Sequence, residues 1–388
     1  MGRPPAQFRR LGATLPLSLG RAHGRRLAGG GGPPLFRLHG PRRHHHRGRV
    51  PYLHNATGDH CSRKGELSRL VVRAARRVGL RVALLRTIYD VREKPGQARM
   101  AQPIDEAIAE VRALAAEYAH DPAVTVLPAP HSLHGASREA IEAAATLARE
   151  LEVPWHIHLA EQEGDVPFAR QRYGTTPLLA LERFGVLDER TVLVHGIWLS
   201  EEERTLLGER RGAVVSNPTT NMALGDGIAD LPDLLRKGVT VGLGTDMNAK
   251  PNIFDELRAA EALQRVRRLR MGILAERENQ APDPARPFAL ATQGGARSLG
   301  LEVGSLEPGR WADFLAVDLR DPSLLPASLR GGDSLLGVLS SGMVPETALR
   351  GSWVGGRRIL WEGDLHGLPW EELAARVRGC RAWRDEEA

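Results

Sequence analysis

The sequence predicts an α/β fold, a (β/α)₈ TIM-like barrel followed by a small β region at the C-terminus. From about residue 70, apolar strand-like runs alternate with amphipathic helical stretches, which is typical of βα units around a parallel sheet. Polar residues follow the ends of those runs, where a (β/α)₈ barrel carries its active site. A doubly wound open sheet also places polar groups at strand ends, but no Gly-x-Gly-x-x-Gly segment opens a βα unit here.

The individual elements follow from this pattern. Each predicted strand is a short apolar run of the kind that is buried on both faces in a parallel sheet; the runs are 81–87, 124–127, 153–158, 191–194, 213–215 and 239–243. Helical patterns lie between and after them, near 102–119, 137–152, 176–185, 200–208, 229–237 and 253–274. Ser200 and Glu203 form a capping-box pattern that predicts a helix start. Residues 304–318 and 351–360 read as short strands with glycine turns. We therefore expect an atypical segment at 1–50, a barrel at 51–300, and a β region with a closing helix at 301–388.

The basic charge of the chain is confined to its start. The 388 residues carry a net charge of +6, from 53 basic and 47 acidic side chains. Eleven arginines and no acidic residue lie in residues 1–58, so 42 basic and all 47 acidic side chains follow them. The body is mildly acidic, which argues against nucleic acid as a partner. No apolar run approaches the ~18 residues of a membrane span, and two cysteines are too few for a disulfide framework. We expect a cytoplasmic protein that makes no membrane contact.

Residues 1–50 differ from the rest of the chain. They combine arginine with a four-glycine run (29–32) and three consecutive histidines (44–46). Three interpretations stay open: a disordered basic arm, an arginine-rich transit peptide, or a segment translated out of frame from a GC-rich gene.

Four polar residues at strand ends form a set that suits metal-dependent hydrolysis. His158 and Glu161 follow the third run, His195 the fourth and Asp246 the sixth. Zinc in catalytic sites takes histidine nitrogen and carboxylate oxygen, and it makes hydroxide accessible near neutral pH. A nearby carboxylate such as Glu161 can move protons to a leaving group. Singly, the histidines also fit structural roles, Glu161 a solvated loop and Asp246 a helix cap. Together they predict a hydrolase that uses Zn²⁺, with Fe²⁺ as the alternative.

At these residues the sequence resembles the amidohydrolase superfamily, in its deaminase and deiminase branch, over about 52–360. The motifs are His-Ile-His158-Leu-Ala-Glu161, Leu-Val-His195 and Gly-Leu-Gly-Thr-Asp246. The segment that begins at 304 is similar to the family's C-terminal return to a β-sandwich. The resemblance implies that His158 and Asp246 are metal ligands, that Glu161 is the proton shuttle, and that His195 orients the hydrolytic water or the developing charge.

Within this branch the sequence looks most like the formimidoylglutamate deiminases of histidine degradation. The shared pieces include Tyr52-Leu-His54 and Ala129-Pro-His131-Ser-Leu133. The resemblance implies that Tyr52, His131 and His134 contact the substrate. However, His134 stands where those enzymes have an arginine that would pair with a substrate carboxylate, and histidine replaces it poorly. The segments that contain Trp198 and Asn217 are more similar to adenosine-type and aminotriazine-type deaminases. The alternative activity is therefore deamination of an adenosine-type substrate, an S-adenosylhomocysteine-type substrate or guanine.

The expected first metal-binding strand is not recognisable. In the family that strand ends in a His-x-His pair that supplies two further ligands. His44 and His46 have the spacing, but they lie among arginines with no apolar strand before them. The first half of the β-sandwich is also missing from the sequence. A third possibility is therefore an inactive, truncated barrel. The predicted partners are a small-molecule substrate and a second copy of the chain in a homodimer.

Overall fold

The computed structural model of the protein describes residues 65–93, 97, 100–247, 251–277 and 280–365. The predictions made for residues 1–50, for Tyr52, for the His44/His46 pair and for a closing helix after residue 365 lie outside the described residues. Six parallel strands follow the predicted apolar runs: β1 (Val82–Ile88), β2 (Val124–Pro130), β3 (Trp155–Leu159), β4 (Thr191–His195), β5 (Ala213–Ser216) and β6 (Thr240–Leu243).

These six strands lie side by side in chain order. β1 pairs with β2, and β3 to β6 form a second parallel sheet in sequence order. A parallel bridge between Ser132 and His158 joins the two sheets at the end of β2, where the His158 amide donates to the His131 carbonyl at 3.0 Å. The predicted mixed α/β architecture with parallel strands is confirmed. Six of the eight barrel strands predicted are present among the described residues.

Helices follow the parallel strands along the chain, as in βα units. The helices are α1 (Glu66–Arg77), α2 (Ile104–Tyr118), α3 (Arg138–Glu150), α4 (Asp165–Tyr173), α5 (Pro177–Arg183), α6 (Glu201–Glu209), α7 (Pro218–Leu224), α8 (Leu231–Arg236), α9 (Ile253–Arg268), α10 (Arg286–Ala289) and α11 (Gly295–Ser298). The predicted capping box is present, because the Ser200 hydroxyl accepts from the Glu203 amide and the Glu203 carboxylate accepts from the Ser200 amide. α9 ends six residues before the predicted boundary, since Leu269 is left-handed with φ 53° and stops the helix.

Both faces of the strands are buried. Alternate residues along a strand point to opposite faces. One face, with Trp155, Ile157 and Leu193, packs in the main core together with the surrounding helices. The opposite face forms a smaller cluster in which Leu85 and Leu127 meet Leu299, which directly follows α11. Burial on both faces explains why the strands read as continuous apolar runs.

The C-terminal β region is a four-stranded antiparallel sheet. Its strands are β7 (Phe314–Val317), β8 (Leu349–Val354), β9 (Arg357–Trp361) and β10 (Asp364–Leu365), adjacent in that order. Two helices that the sequence patterns did not predict, α12 (Leu325–Arg330) and α13 (Gly332–Ser340), separate β7 from β8. The Arg81 guanidinium, just before β1, binds the Asp313 carboxylate at 2.8 Å and links this sheet to the parallel strands. Such a sheet is consistent with part of the predicted sandwich. In the part of the chain that is described, no helix is both long and apolar enough to cross a lipid bilayer.

We expect Gly294→Ala to destabilise the fold, since a Cβ at this position would lie 1.9 Å from the Val241 carbonyl oxygen. Overpacking of this kind costs about 1–3 kcal/mol. The matched control is Gly337→Ala within α13, where a Cβ has no neighbour within 4 Å and helix propensity favours alanine by about 1 kcal/mol. Urea unfolding measures both. Equal midpoints for the two variants would contradict the packing described here.

Candidate active site

The ends of β3 and β4 are joined through their backbones. The amides of Ile197 and Trp198 both donate to the carbonyl of Ala160 at 2.9 Å, and the Gly196 amide donates to Leu159 at 3.1 Å. Glu161 directly follows the accepting residue, and His195 is the last residue of β4. This junction therefore brings the two predicted site residues to one level of the sheet.

Three non-glycine residues at these strand ends have left-handed backbones. The φ values are 50° for Ala160, 79° for His195 and 41° for Asp246. Such conformations are uncommon for residues with a Cβ, cost about 1–3 kcal/mol each and cluster at functional sites. Two of these three residues, His195 and Asp246, are site residues that the sequence predicted.

The structure brings the four strand-end residues together in a buried cluster. His195 Nε2 lies 3.6 Å from Glu161 Oε1 and 3.5 Å from Asp246 Oδ2, and all three side chains are at most 1% exposed. The His195 ring centroid lies 5.6 Å from that of His158. One imidazole nitrogen therefore faces two carboxylates, with a second imidazole beside them.

His158 has the protonation pattern of a metal ligand. Its Nδ1 lies 2.7 Å from the His131 carbonyl oxygen, which can only accept a hydrogen bond. The ring proton is therefore on Nδ1, and Nε2 carries a lone pair, as in metal sites where a carbonyl orients the ligand. His158 and Asp246 supply the nitrogen and oxygen donors that zinc takes.

These donors fit part of a metal site. Within the described ranges, no group of three His, Cys, Asp or Glu side chains has the spacing to hold a metal ion. A catalytic zinc takes three protein ligands. The His-x-His pair that the family resemblance implies is not recognisable in the sequence, and His44 and His46, which have its spacing, lie outside the described residues. The donor types therefore fit a zinc site, but the number of ligands among the described residues falls short.

His131 and Tyr89 form one wall beside His158. Their rings meet edge to face with centroids 5.0 Å apart, and His131 Nδ1 lies 2.8 Å from the Ser132 hydroxyl. Gly135 allows this approach, because a Cβ there would lie 2.5 Å from the Tyr89 ring. Tyr89 was not predicted; its position directly after β1 was the available signal. His131 therefore packs between Tyr89 and His158, and its contact with a substrate stays a prediction.

His156 precedes His158 by two residues on the same face of β3. Burial lowers the pKa of His156 to about 3, helped by the neighbouring His158. His156 is therefore a neutral ring at neutral pH, and it adds no positive charge beneath the site.

His134 is bonded within the protein. Its Nε2 lies 2.9 Å from Asp165 Oδ1, and its ring packs on Phe168. Asp165 Oδ2 accepts from the amides of Glu161 at 2.8 Å and Gln162 at 3.2 Å. Burial raises the pKa of Asp165, but the hydrogen bond from His134 and those from the two amides outweigh it and lower the pKa overall. His134 therefore supports the turn that carries Glu161.

Two asparagines approach the other nitrogen of His195. The side-chain nitrogen of Asn221 lies 2.9 Å from His195 Nδ1, and that of Asn217 lies 3.4 Å away. Both follow β5, and Asn221 also contacts Asp226 at 3.2 Å. Sequence reasoning assigned them no role. The available signal was the placement of amides after an apolar strand.

Comparisons with known proteins identify the family to which the chain is similar. The sequence profile of the Amidohydrolase family matches residues 54–354. A 5-methylthioadenosine/S-adenosylhomocysteine deaminase of Bacillus cytotoxicus is 31% identical over 313 residues, covering 79% of this chain and 67% of the relative. A 5'-deoxyadenosine deaminase of Methanothermobacter thermautotrophicus is 32% identical over 302 residues, covering 77% and 66%. The chain therefore spans about two thirds of the length of each relative.

A solved structure of an adenosine deaminase from Xanthomonas campestris with bound zinc is also similar. It superposes with a TM-score of 0.71 at 28% identity, covering 82% of this chain and 69% of that one.

Asp165→Ala should lower the free energy of unfolding by about 1–3 kcal/mol, because two backbone amides and the His134 ring lose their acceptor. His134→Ala should cost less, since it leaves the amides of Glu161 and Gln162 bonded to the carboxylate. The matched control is His120→Ala, which removes an exposed histidine and should change stability by less than about 0.5 kcal/mol. Urea unfolding of the three variants tests this. An Asp165→Ala midpoint equal to that of the control would show that Asp165 does not hold the turn.

Proposed function

The chain belongs to the amidohydrolase family, and from that premise we propose that it is a metal-dependent deaminase that hydrolyses the amino group of an adenosine-type substrate. The observation that carries the proposal is the buried His195 Nε2, which lies within 3.6 Å of both Glu161 and Asp246. The deaminase names of the relatives and of the zinc-bound neighbour support the same reaction class.

We propose that His158 Nε2 and Asp246 hold the metal. Zinc, when bound, lowers the pKa of a water molecule and supplies a nucleophile near neutral pH. Asp246 takes a proton from the attacking water, and His195 Nε2, which lies 3.5 Å from Asp246 Oδ2, orients that water. The new C–O bond forms at the sp² carbon that carries the amino group.

Glu161 is the proposed general acid. It delivers a proton to the departing nitrogen as the C–N bond breaks, so that ammonia leaves as a neutral molecule. The proton that Asp246 took from the water then replaces the one that Glu161 gave up, which returns both carboxyl groups to their starting states. Its backbone is held on two sides: Asp165 accepts from the Glu161 amide, and the Ala160 carbonyl accepts from the amides of Ile197 and Trp198, which follow β4. A buried carboxylate on such a turn suits proton transfer, which needs hydrogen-bond distance to the leaving group.

The contacts of His134 favour an adenosine-type substrate over formimidoylglutamate. A substrate carboxylate needs a free cationic partner, for which a bidentate arginine is best suited. Here the His134 Nε2 faces Asp165, whose lowered pKa keeps it negatively charged. That negative charge disfavours a substrate carboxylate placed at His134, where the deiminases have their arginine, whereas the amino-heterocycle of an adenosine-type substrate carries no charge there. We propose that His131, with Tyr52, lines the substrate pocket and that His134 acts through Asp165.

Purified protein should release ammonia from 5'-deoxyadenosine, 5'-methylthioadenosine or S-adenosylhomocysteine, with kcat/KM at least tenfold above the values for formimidoylglutamate and guanine. A coupled ammonia assay over these five compounds gives the comparison. A preference for formimidoylglutamate would overturn the substrate class and leave the reaction class intact. Release from none of the five by zinc-loaded protein would favour the inactive barrel.

A pair of glutamate variants serves to control this assay. Glu161→Gln keeps the shape of the side chain and removes its proton chemistry, so kcat should fall about 10²- to 10⁴-fold. Glu163→Gln alters an exposed glutamate two residues away and should leave kcat within twofold. Equal rates for the two variants would remove Glu161 from the reaction.

His158→Ala should lower the zinc content of the purified protein, since it removes a nitrogen ligand, while His120→Ala should retain it. Zinc and iron are counted per chain by inductively coupled plasma mass spectrometry. Wild-type protein with less than about 0.1 equivalent of either metal after reconstitution would contradict the metal site. The measurement does not depend on choosing the right substrate.

A further inference from the structure

The segment Leu224-Gly-Asp226-Gly227 ends helix α7 and places the Asp226 carboxylate beside Asn221, which contacts His195. We propose that Asn221, oriented by Asp226, is a positioning residue that fixes His195 in the tautomer with its proton on Nε2. The claim about the tautomer follows from the hydrogen bonds alone. Its effect on turnover rests on the proposed function.

The first step concerns the orientation of the Asn221 amide. Its side-chain nitrogen lies 2.9 Å from His195 Nδ1 and 3.2 Å from Asp226 Oδ2. An amide NH₂ has two protons and can donate to both neighbours. An amide oxygen at the same place would face the lone pairs of a carboxylate at that distance. The Asp226 carboxylate therefore selects the orientation in which Asn221 donates.

The second step concerns the ring. Because Asn221 donates to Nδ1, that nitrogen carries a lone pair, and in a neutral imidazole the proton is then on Nε2. Asn217, whose side-chain nitrogen lies 3.4 Å from the same atom, supports the same state. All three side chains are at most 3% exposed, so solvent does not compete for Nδ1.

The third step concerns what holds Asp226. Its Oδ1 lies 3.3 Å from the side-chain nitrogen of Gln162, and its backbone carbonyl accepts from the Trp198 indole N–H at 2.8 Å. Gln162 is the neighbour of Glu161, and Trp198 lies three residues after His195. Asp226 is thus hydrogen-bonded to the turn after β3, which contains Glu161, and to the turn that follows His195 at the end of β4.

The consequence is a pair of histidines with opposite protonation. His158 donates from Nδ1 to a carbonyl and keeps a lone pair on Nε2. His195 accepts at Nδ1 and presents Nε2–H to Glu161 and Asp246. The inverted tautomer would place a lone pair between two carboxylate oxygens. Asn221 and Asp226 therefore determine that His195 presents an N–H donor to the reacting water, although they do not contact that water themselves.

The test is the exchange variant Asn221→Asp/Asp226→Asn, which swaps the amide and the carboxylate and keeps the total charge. A carboxylate at position 221 accepts from Nδ1, so the ring proton should move to Nδ1. Long-range ¹H–¹⁵N spectra of the full-length, metal-loaded protein report which nitrogen is protonated, and His195→Gln assigns the signals. Wild type should show Nε2–H, and the exchange variant should show Nδ1–H.

Turnover provides the second measurement. The exchange variant should lose 10- to 100-fold in kcat, the range found for residues that orient a metal-site histidine, while KM changes by less than threefold. Asp226→Asn alone removes the selection of the amide orientation and should show an intermediate loss. Glu163→Gln again serves as the control.

Three results would overturn the proposal. These are Nδ1–H in the wild type, an unchanged tautomer in the exchange variant, or an inverted tautomer with wild-type kcat. If none of the nucleosides is a substrate, the spectra still decide the tautomer, so failure of the proposed function is distinguished from failure of this inference.

Discussion

The backbone junction between β3 and β4 is the constraint on which the site depends. Parallel pairing places Leu159 opposite His195, and the carbonyl of Ala160 then accepts two amides from the β4 turn. A second junction, from the Gly244 amide to the Ser216 carbonyl at 2.9 Å, sets the turn that leads to Asp246. Strand register thus brings Glu161, His195 and Asp246 close together although they are far apart in the sequence. Barrel sheets form their active sites at the C-terminal edge in this way.

The conformations and burial of these site residues reduce the free energy of unfolding locally. His195 and Asp246 have left-handed backbones, and two carboxylates are buried beside one imidazole. Strain and buried charge each disfavour folding unless the surroundings impose them. Continuous apolar packing on both faces of the strands supplies that framework, and Asp165 and Asp226 brace the turns from outside the cluster. The packed sheet therefore holds His195 and Asp246 in left-handed backbone conformations that these residues would rarely adopt by themselves.

The sequence predicted what depends on local pattern. All six described parallel strands were predicted to within a few residues, because burial on both faces leaves an apolar run. Helix α7 was missed, since seven residues that begin with Pro-Thr-Thr-Asn are too few to show an amphipathic period, yet this helix carries Asn221. His134 was predicted as a substrate contact, but its partner Asp165 lies 31 residues further along the chain, and no spacing rule connects them. The roles of His158, Glu161, His195 and Asp246 remain predictions, whereas their proximity is observed.

The two histidines explain why the supporting hydrogen bonds matter for chemistry. Hydrolysis of an amino-heterocycle needs a lone pair to hold the metal and a proton donor beside the water, and an imidazole provides either function but only one at each nitrogen. In the proposed mechanism, the carbonyl of His131 behind His158 selects the first function, and the amide of Asn221 behind His195 selects the second. A carbonyl cannot donate, and the NH₂ group of Asn221 that faces Asp226 cannot accept, so each histidine is proposed to keep one tautomer. The different proposed roles of the two histidines therefore depend on the residues that hydrogen-bond to them, the His131 carbonyl and the Asn221 amide, and the sequence motifs assigned neither of these groups that role.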